Sequence, residues 1–191
     1  MSWYDFGALA DGGEDGRAQF LRSMQQSLDV IDHACAAEGP FDGLFAFSQG
    51  ASLAALVMAL GELRERGVAV PEDVPIALGA HTTFHFVAMV AGFLPGEGRT
   101  RAYVPEVDAG APLRSVFEAA SPVRNAAFVM YGASDRVIPA ERSERLARMF
   151  ASPVVTTHDG GHHVPSSSVI RKAFRGFVED QHSAIITGHA Q

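Results

Sequence analysis

With 191 residues, 47% of them hydrophobic and 19% charged, the chain is long enough for one domain with a sizeable core, too apolar for disorder and too sparsely charged for a long coiled coil. Its 15 Lys and Arg against 22 Asp and Glu give a net charge of −7, which offers no basic footprint for nucleic acid or anionic lipid. A single cysteine, Cys35, closes no intrachain disulfide, so the expected setting is the cytoplasm or another reducing intracellular compartment.

The first residues, Met1–Asp5, carry no basic or apolar targeting pattern, and the longest mostly apolar run, Ala51–Leu60, is about half a membrane span, so no span is expected. From Arg17 to Ala36, Phe20, Met24, Leu28, Ile31 and Cys35 recur every three or four positions, which predicts an amphipathic helix ended by Gly39-Pro40. A short apolar run, Phe41–Phe47, reads as a buried strand, and Gln49–Leu63 as the apolar helix after it. Phe84–Phe93, Ala126–Tyr131 and Pro153–Thr157 are further strand candidates. Helical patterns lie between them at Leu113–Ala119 and Ala140–Phe150. A last helix, Ser166–His182, begins at a serine cap and shows Val169, Phe174, Phe177 and Val178 on one face. Gly67–Thr83 and Pro95–Pro112 read as excursions, the second as a cover over a site, and Ser183–Gln191 as a flexible tail.

Strands alternating with helices predict one α/β domain over 1–191, with a mostly parallel sheet in chain order and helices on its faces. The early glycines Gly7, Gly12, Gly13 and Gly16 follow no suitable strand, so no dinucleotide site and no cofactor are expected.

Ala46-Phe47-Ser48-Gln49-Gly50 lies where a strand turns into a helix, and a serine on such a sharp turn has its hydroxyl pushed above the sheet. Small residues two before and two after it, here Ala46 and Gly50, let strand and helix backbones pass. The bland alternative is a serine that caps the helix. A nucleophilic serine needs a histidine base and an acid to orient it, in the order Ser, Asp, His for this architecture. Asp135 stands just past the third strand in Tyr131-Gly132-Ala133-Ser134-Asp135, where it also suits an Asx turn or N-cap. His158-Asp159-Gly160-Gly161-His162-His163-Val164-Pro165 follows the last strand, and His162, directly after Gly-Gly, is the expected base. Three histidines in one loop also raise a metal site. The glycine pair breaks helical ligand spacing, however, and no second ligand cluster completes a set, so none is expected. His81 and His85 read as packed or pocket-lining histidines.

Taken together, Phe41-Asp42-Gly43, Phe47-Ser48-Gln49-Gly50-Ala51, Val90-Ala91-Gly92-Phe93, Tyr131-Gly132-Ala133-Ser134-Asp135 with Pro139, and His158-x-Gly-Gly-His162-x-Val-Pro165 resemble the serine hydrolase FSH family, a branch of the α/β-hydrolase fold, over about residues 14–180. The resemblance implies Ser48 as nucleophile, Asp135 as acid and His162 as base, acting on a carboxylic ester or acyl thioester. It also implies, ahead of the Trp-aromatic segment matched by Trp3-Tyr4, a strand ending in a His-Gly loop, a helix and another strand, with no counterpart in these 191 residues. Gln49 N–H is then the one evident oxyanion donor, and the Phe41–Phe47 strand has an open edge. A protein partner or upstream residues are expected to cover that edge, ahead of fold-back by the glycine-rich Met1–Gly16. The rival reading is a catalytically impaired hydrolase-fold subunit with a structural or assembly role.

Overall fold

Runs of apolar residues that are too short for helices and bounded by Gly, Pro or Asp become the strands, but only the two central ones are buried on both faces; the two edge strands leave Phe45, Phe47, Val154 and Val155 exposed, which corrects the reading of Phe41–Phe47 as a buried strand. In the computed structural model, which describes residues 2–5, 7–10, 13–95 and 113–188, these are β1 (Gly43–Phe47), β2 (Phe86–Val90), β3 (Ala126–Gly132) and β4 (Val154–His158). They form one parallel sheet in the order β1-β2-β3-β4, as expected from chain order. The helices among the described residues are α1 (Gly7–Ala10), α2 (Gly13–Glu38), α3 (Gln49–Glu65), α4 (Arg114–Ala120), α5 (Ala140–Ala147) and α6 (Ser168–Ile186). None is long and apolar enough to cross a membrane.

Side chains alternate across the sheet and divide the core in two. Val87 and Met89 of β2 and Ala127, Val129 and Tyr131 of β3 join Phe20, Met24 and Leu28 of α2, most of α3, Val116 and Phe117 of α4 and Leu146 of α5. Ala88, Val90, Phe128 and Met130 face the other way, onto Ile170 and Phe177 of α6. The apolar stripe read from Phe20 to Cys35 is the buried face of α2, although the helix starts at Gly13, four residues earlier than its apolar period.

On α6, Val169 is 75% exposed and Ile170 is buried in its place. The inward positions 170, 174, 177 and 178 keep helical spacing, which Val169 breaks. The helix also runs on to Ile186 and does not fray at Ser183. The Ser183 hydroxyl donates to Glu179 O, and Thr187 Oγ1 donates to Ser183 O. His81 and His85 are both exposed, at the end of the sheet opposite Ser48, which corrects their reading as packed histidines. Their backbone N–H groups donate to Asp32 and to Asp42 O. Gly67–Thr83 forms no helix or strand, and of the expected cover Pro95–Pro112, residues 96–112 lie outside the described residues, as do 189–191 of the tail.

β1 is an edge strand. Asp42 O accepts from His85 N–H and Ser48 N–H donates to Val90 O, so the even positions of β1 bond toward β2, and Gly43, Phe45 and Phe47 turn their N–H and C=O groups outward. Among the described residues no strand pairs there. The N-terminal residues 2–5 lie against α2 and the start of α3: Ser27 Oγ donates to Trp3 O, and Asp5 N–H donates to Ser23 Oγ.

Glu62 ties the helical layer to the sheet. Fully buried in α3, it accepts from Arg124 N–H at 3.0 Å and from Arg124 Nε at 2.8 Å just ahead of β3. Arg124→Ala is expected to lower stability by about 1–2 kcal/mol, toward the low end for a charged hydrogen bond because the guanidinium is half in water. Urea unfolding should show this as a lower midpoint at unchanged slope.

Candidate active site

The turn from β1 into α3 places Ser48 at φ 55°, ψ −121°, a conformation that a side chain other than glycine's adopts only when the surroundings impose it. The imposition is visible on both sides. Ser48 N–H closes the last rung to Val90 O at 2.8 Å, and Ser48 O accepts from Ser52 N–H as α3 begins. Gln49 is the first residue of α3, so its N–H has no acceptor within the helix and points from the positive end of the helix dipole.

Asp135 follows β3 and has a fully buried side chain. Its two oxygens make separate sets of contacts. Oδ1 accepts from Val137 N–H at 2.8 Å and Ile138 N–H at 2.9 Å, building the turn into α5, while Oδ2 lies 2.8 Å from His162 Nδ1. His162 Nε2 in turn lies 2.9 Å from Ser48 Oγ. The consistent tautomer has Nδ1–H donating to Asp135 and Nε2 accepting from the Ser48 hydroxyl. The Phe47 ring packs on the imidazole at 4.8 Å between centroids.

The other two loop histidines do not reach Ser48. The His163 ring packs edge-on against that of His158 at 4.9 Å, and His158 Nδ1 accepts from Gly160 N–H. Burial, followed by the neighbouring His163, lowers the His158 pKa from 6.5 and so favours the neutral ring. Among the described residues no group of three or more His, Cys, Asp or Glu is gathered closely enough to hold a metal ion.

What brings the histidine loop to Asp135 is the absence of two side chains. A Cβ on Gly132, the last residue of β3, would stand 2.2 Å from Gly160 O and 2.7 Å from Gly161 O, and one on Gly160 would stand 2.4 Å from the His163 ring. Contact at that range lets Ser134 N–H donate to Gly160 O and Ala133 N–H to His158 O.

The side chain of Gln49 does something that sequence reasoning missed. Its Oε1 accepts from Trp3 N–H at 2.8 Å and from Ser2 Oγ at 3.1 Å, and its Nε2 donates to Tyr4 O at 2.8 Å. The segment beside Ser48 is thus gripped by one amide. The nearest signal in the sequence is an unbranched amide placed directly after the serine, with an aromatic pair far upstream.

The family described as serine hydrolase (FSH1) matches residues 2–174. The chain belongs to that serine hydrolase family. Relatives of the chain include Esterase OVCA2 of Mus musculus, 32% identical over 158 residues that cover 83% of this chain and 57% of the mouse protein. Esterase OVCA2 of Homo sapiens is 31% identical over 159 residues, covering 83% of this chain and 58% of the human one. The chain therefore spans a little over half the length of these relatives. Solved structures share the fold. An acyl-protein thioesterase 2 of Zea mays superposes with a TM-score of 0.54 at 16% identity, over 94% of this chain and 72% of its own. Est1E of Butyrivibrio proteoclasticus gives 0.56 at 16%, over 87% and 71%.

Gly132→Ala is expected to push the Gly160-Gly161 loop off β3 and to cut ester turnover by about 10²-fold while the chain still folds, since displacement of a catalytic group by about 1 Å costs that much. Gly61→Ala is the contrast. With nothing within 4 Å of its Cβ in the middle of α3, it should leave turnover unchanged and raise stability by about 0.5–1 kcal/mol, measured by urea unfolding.

Proposed function

We propose that this FSH-family hydrolase cleaves a carboxylic ester or acyl thioester through an acyl-enzyme on Ser48, with His162 as general base and acid and Asp135 orienting it. The observation that carries the reading is the unbroken chain of contacts, 2.9 Å from Ser48 Oγ to His162 Nε2 and 2.8 Å from His162 Nδ1 to Asp135 Oδ2, at the C-terminal ends of three parallel strands. Ser48 Oγ attacks the carbonyl carbon while His162 Nε2 takes its proton. The tetrahedral oxyanion forms next to Gln49 N–H, the buried Asp135 carboxylate stabilises the imidazolium, and His162 returns the proton to the departing alkoxide or thiolate. Water then adds to the acyl-serine with the same proton transfers, releasing a carboxylic acid and restoring Ser48. No step in this sequence calls on a metal or cofactor.

A second reading is favoured by one observation, the outward-facing backbone groups at Gly43, Phe45 and Phe47 beside the nucleophile. A hydrolase-fold subunit that is inactive alone and serves an assembly role fits an edge of that kind.

Ser48→Ala and His162→Ala should each lower kcat on p-nitrophenyl esters by about 10⁴–10⁶-fold, and Asp135→Asn by about 10⁴-fold. Undiminished turnover in Ser48→Ala would sink the proposal. A folded wild-type chain with no turnover on any short ester or thioester would favour the assembly reading.

A further inference from the structure

Trp3 is 44% exposed, although its backbone is among the most firmly held in the N-terminal segment. Its N–H is bonded to Gln49 Oε1 and its C=O to Ser27 Oγ. The next residue, Tyr4, is buried, edge-on to Phe20 at 5.5 Å, with its carbonyl taken by Gln49 Nε2 and Ser2 Oγ. The dipeptide is split: Tyr4 anchors and Trp3 is presented. The indole lies against the first turn of α3, where a Cβ on Gly50 would stand 3.3 Å from Trp3 Nε1 and 3.7 Å from Cδ1. Gly50 is two residues from Ser48, so the small residue after the elbow leaves room for the indole as well as for the strand. Exposed apolar side chains also stand within two residues of each member of the Ser48–His162–Asp135 chain, namely Phe47, Val164 and Val137. Of these, Phe47 lies at the site, its ring packed on the His162 imidazole at 4.8 Å, and an exposed aromatic face there suits an apolar group.

We propose that Trp3 is a substrate-contacting residue, its indole forming the wall of the site beside Gln49 N–H and packing on the apolar part of the bound ester, with the Gln49 side chain as the clamp that holds it there. The inference rests on the hydrolase reading and adds to it a specificity-determining residue. It also gives Gln49 two tasks, since the residue whose backbone faces the oxyanion fixes the wall against which the substrate is laid.

Trp3 is the one tryptophan in the 191 residues, so its fluorescence reports on the proposed wall alone. The full chain is treated with fluorophosphonates bearing an ethyl or a dodecyl chain. Attack of Ser48 Oγ on phosphorus expels fluoride and leaves the alkyl group fixed at the site. Trp3 emission is expected to shift to the blue with the dodecyl adduct and not with the ethyl one, and Gln49→Leu is expected to shift the emission of the unlabelled protein to the red. In steady-state kinetics, Trp3→Ala should lower the ratio of kcat/KM for octanoyl over acetyl esters by about tenfold, the equivalent of one lost aromatic contact, and Trp3→Phe should recover most of it. Labelled Ser48 with unmoved emission and an unchanged ratio overturns the wall while leaving the hydrolase reading intact. Labelling by the ethyl phosphonate alone overturns the wall, and failure of both phosphonates to label Ser48 overturns the hydrolase reading, and the inference with it.

Discussion

The site depends on one backbone constraint, the positive φ of Ser48 at the junction of β1 and α3. An L-residue there is strained by about 1–3 kcal/mol and persists only where both flanks are locked. Val90 O on β2 holds the amide side, and the first turn of α3 holds the carbonyl side. β2 is itself fixed between β1 and β3, with Val87, Met89, Ala88 and Val90 buried on both faces. The strain is therefore supported by the sheet, and its effect is to lift the Ser48 hydroxyl to the sheet edge where the loops after β3 and β4 emerge. The same parallel register that buries the strands brings Asp135 and His162 to that edge.

Much of this was legible in the sequence because the physics that fixes it is local. Strand lengths follow from short apolar runs, strand order from crossover connections, and the serine turn from small residues flanking Ser48. The Gly160-Gly161 pair pointed to a tight loop, and His162 is the histidine it delivers. What the sequence did not disclose is set by contacts between distant segments. Gly132 looks like an ordinary strand-end glycine until the carbonyls of Gly160 and Gly161 are seen to occupy the space of its Cβ. Asp135 has two rival readings in the sequence, turn former or acid partner; one of its oxygens accepts from the turn and the other lies against His162. Val169 and Ile170 differ by one position, and only the packing of α6 on β2 and β3 decides which is inside. The grip of Gln49 on residues 2–4 spans 45 to 47 positions of chain and has no periodic signature.

Two features of the fold bear on how the site is completed. The outer edge of β1 carries free backbone directions and a half-exposed Phe45 whose ring meets Phe174 of α6, so the apolar layer continues to the rim of the sheet. The chain spans a little over half the length of the related OVCA2 esterases. At the first turn of α3 the Gln49 amide organises the segment of Trp3 and Tyr4. Ser48 thus has an open strand edge and a clamped aromatic segment near it, and in the proposed mechanism Gln49 N–H, at the N-terminus of α3, is the oxyanion donor.

In the proposed mechanism Ser48 carries the acyl group between two half-reactions. The most direct measurement is acid quenching of the full chain during turnover of a p-nitrophenyl ester, followed by intact mass and peptide mapping. An added acyl mass is expected on Ser48 in the wild-type chain and none in His162→Ala. Turnover with no adduct, or with the adduct on any other residue, would contradict it.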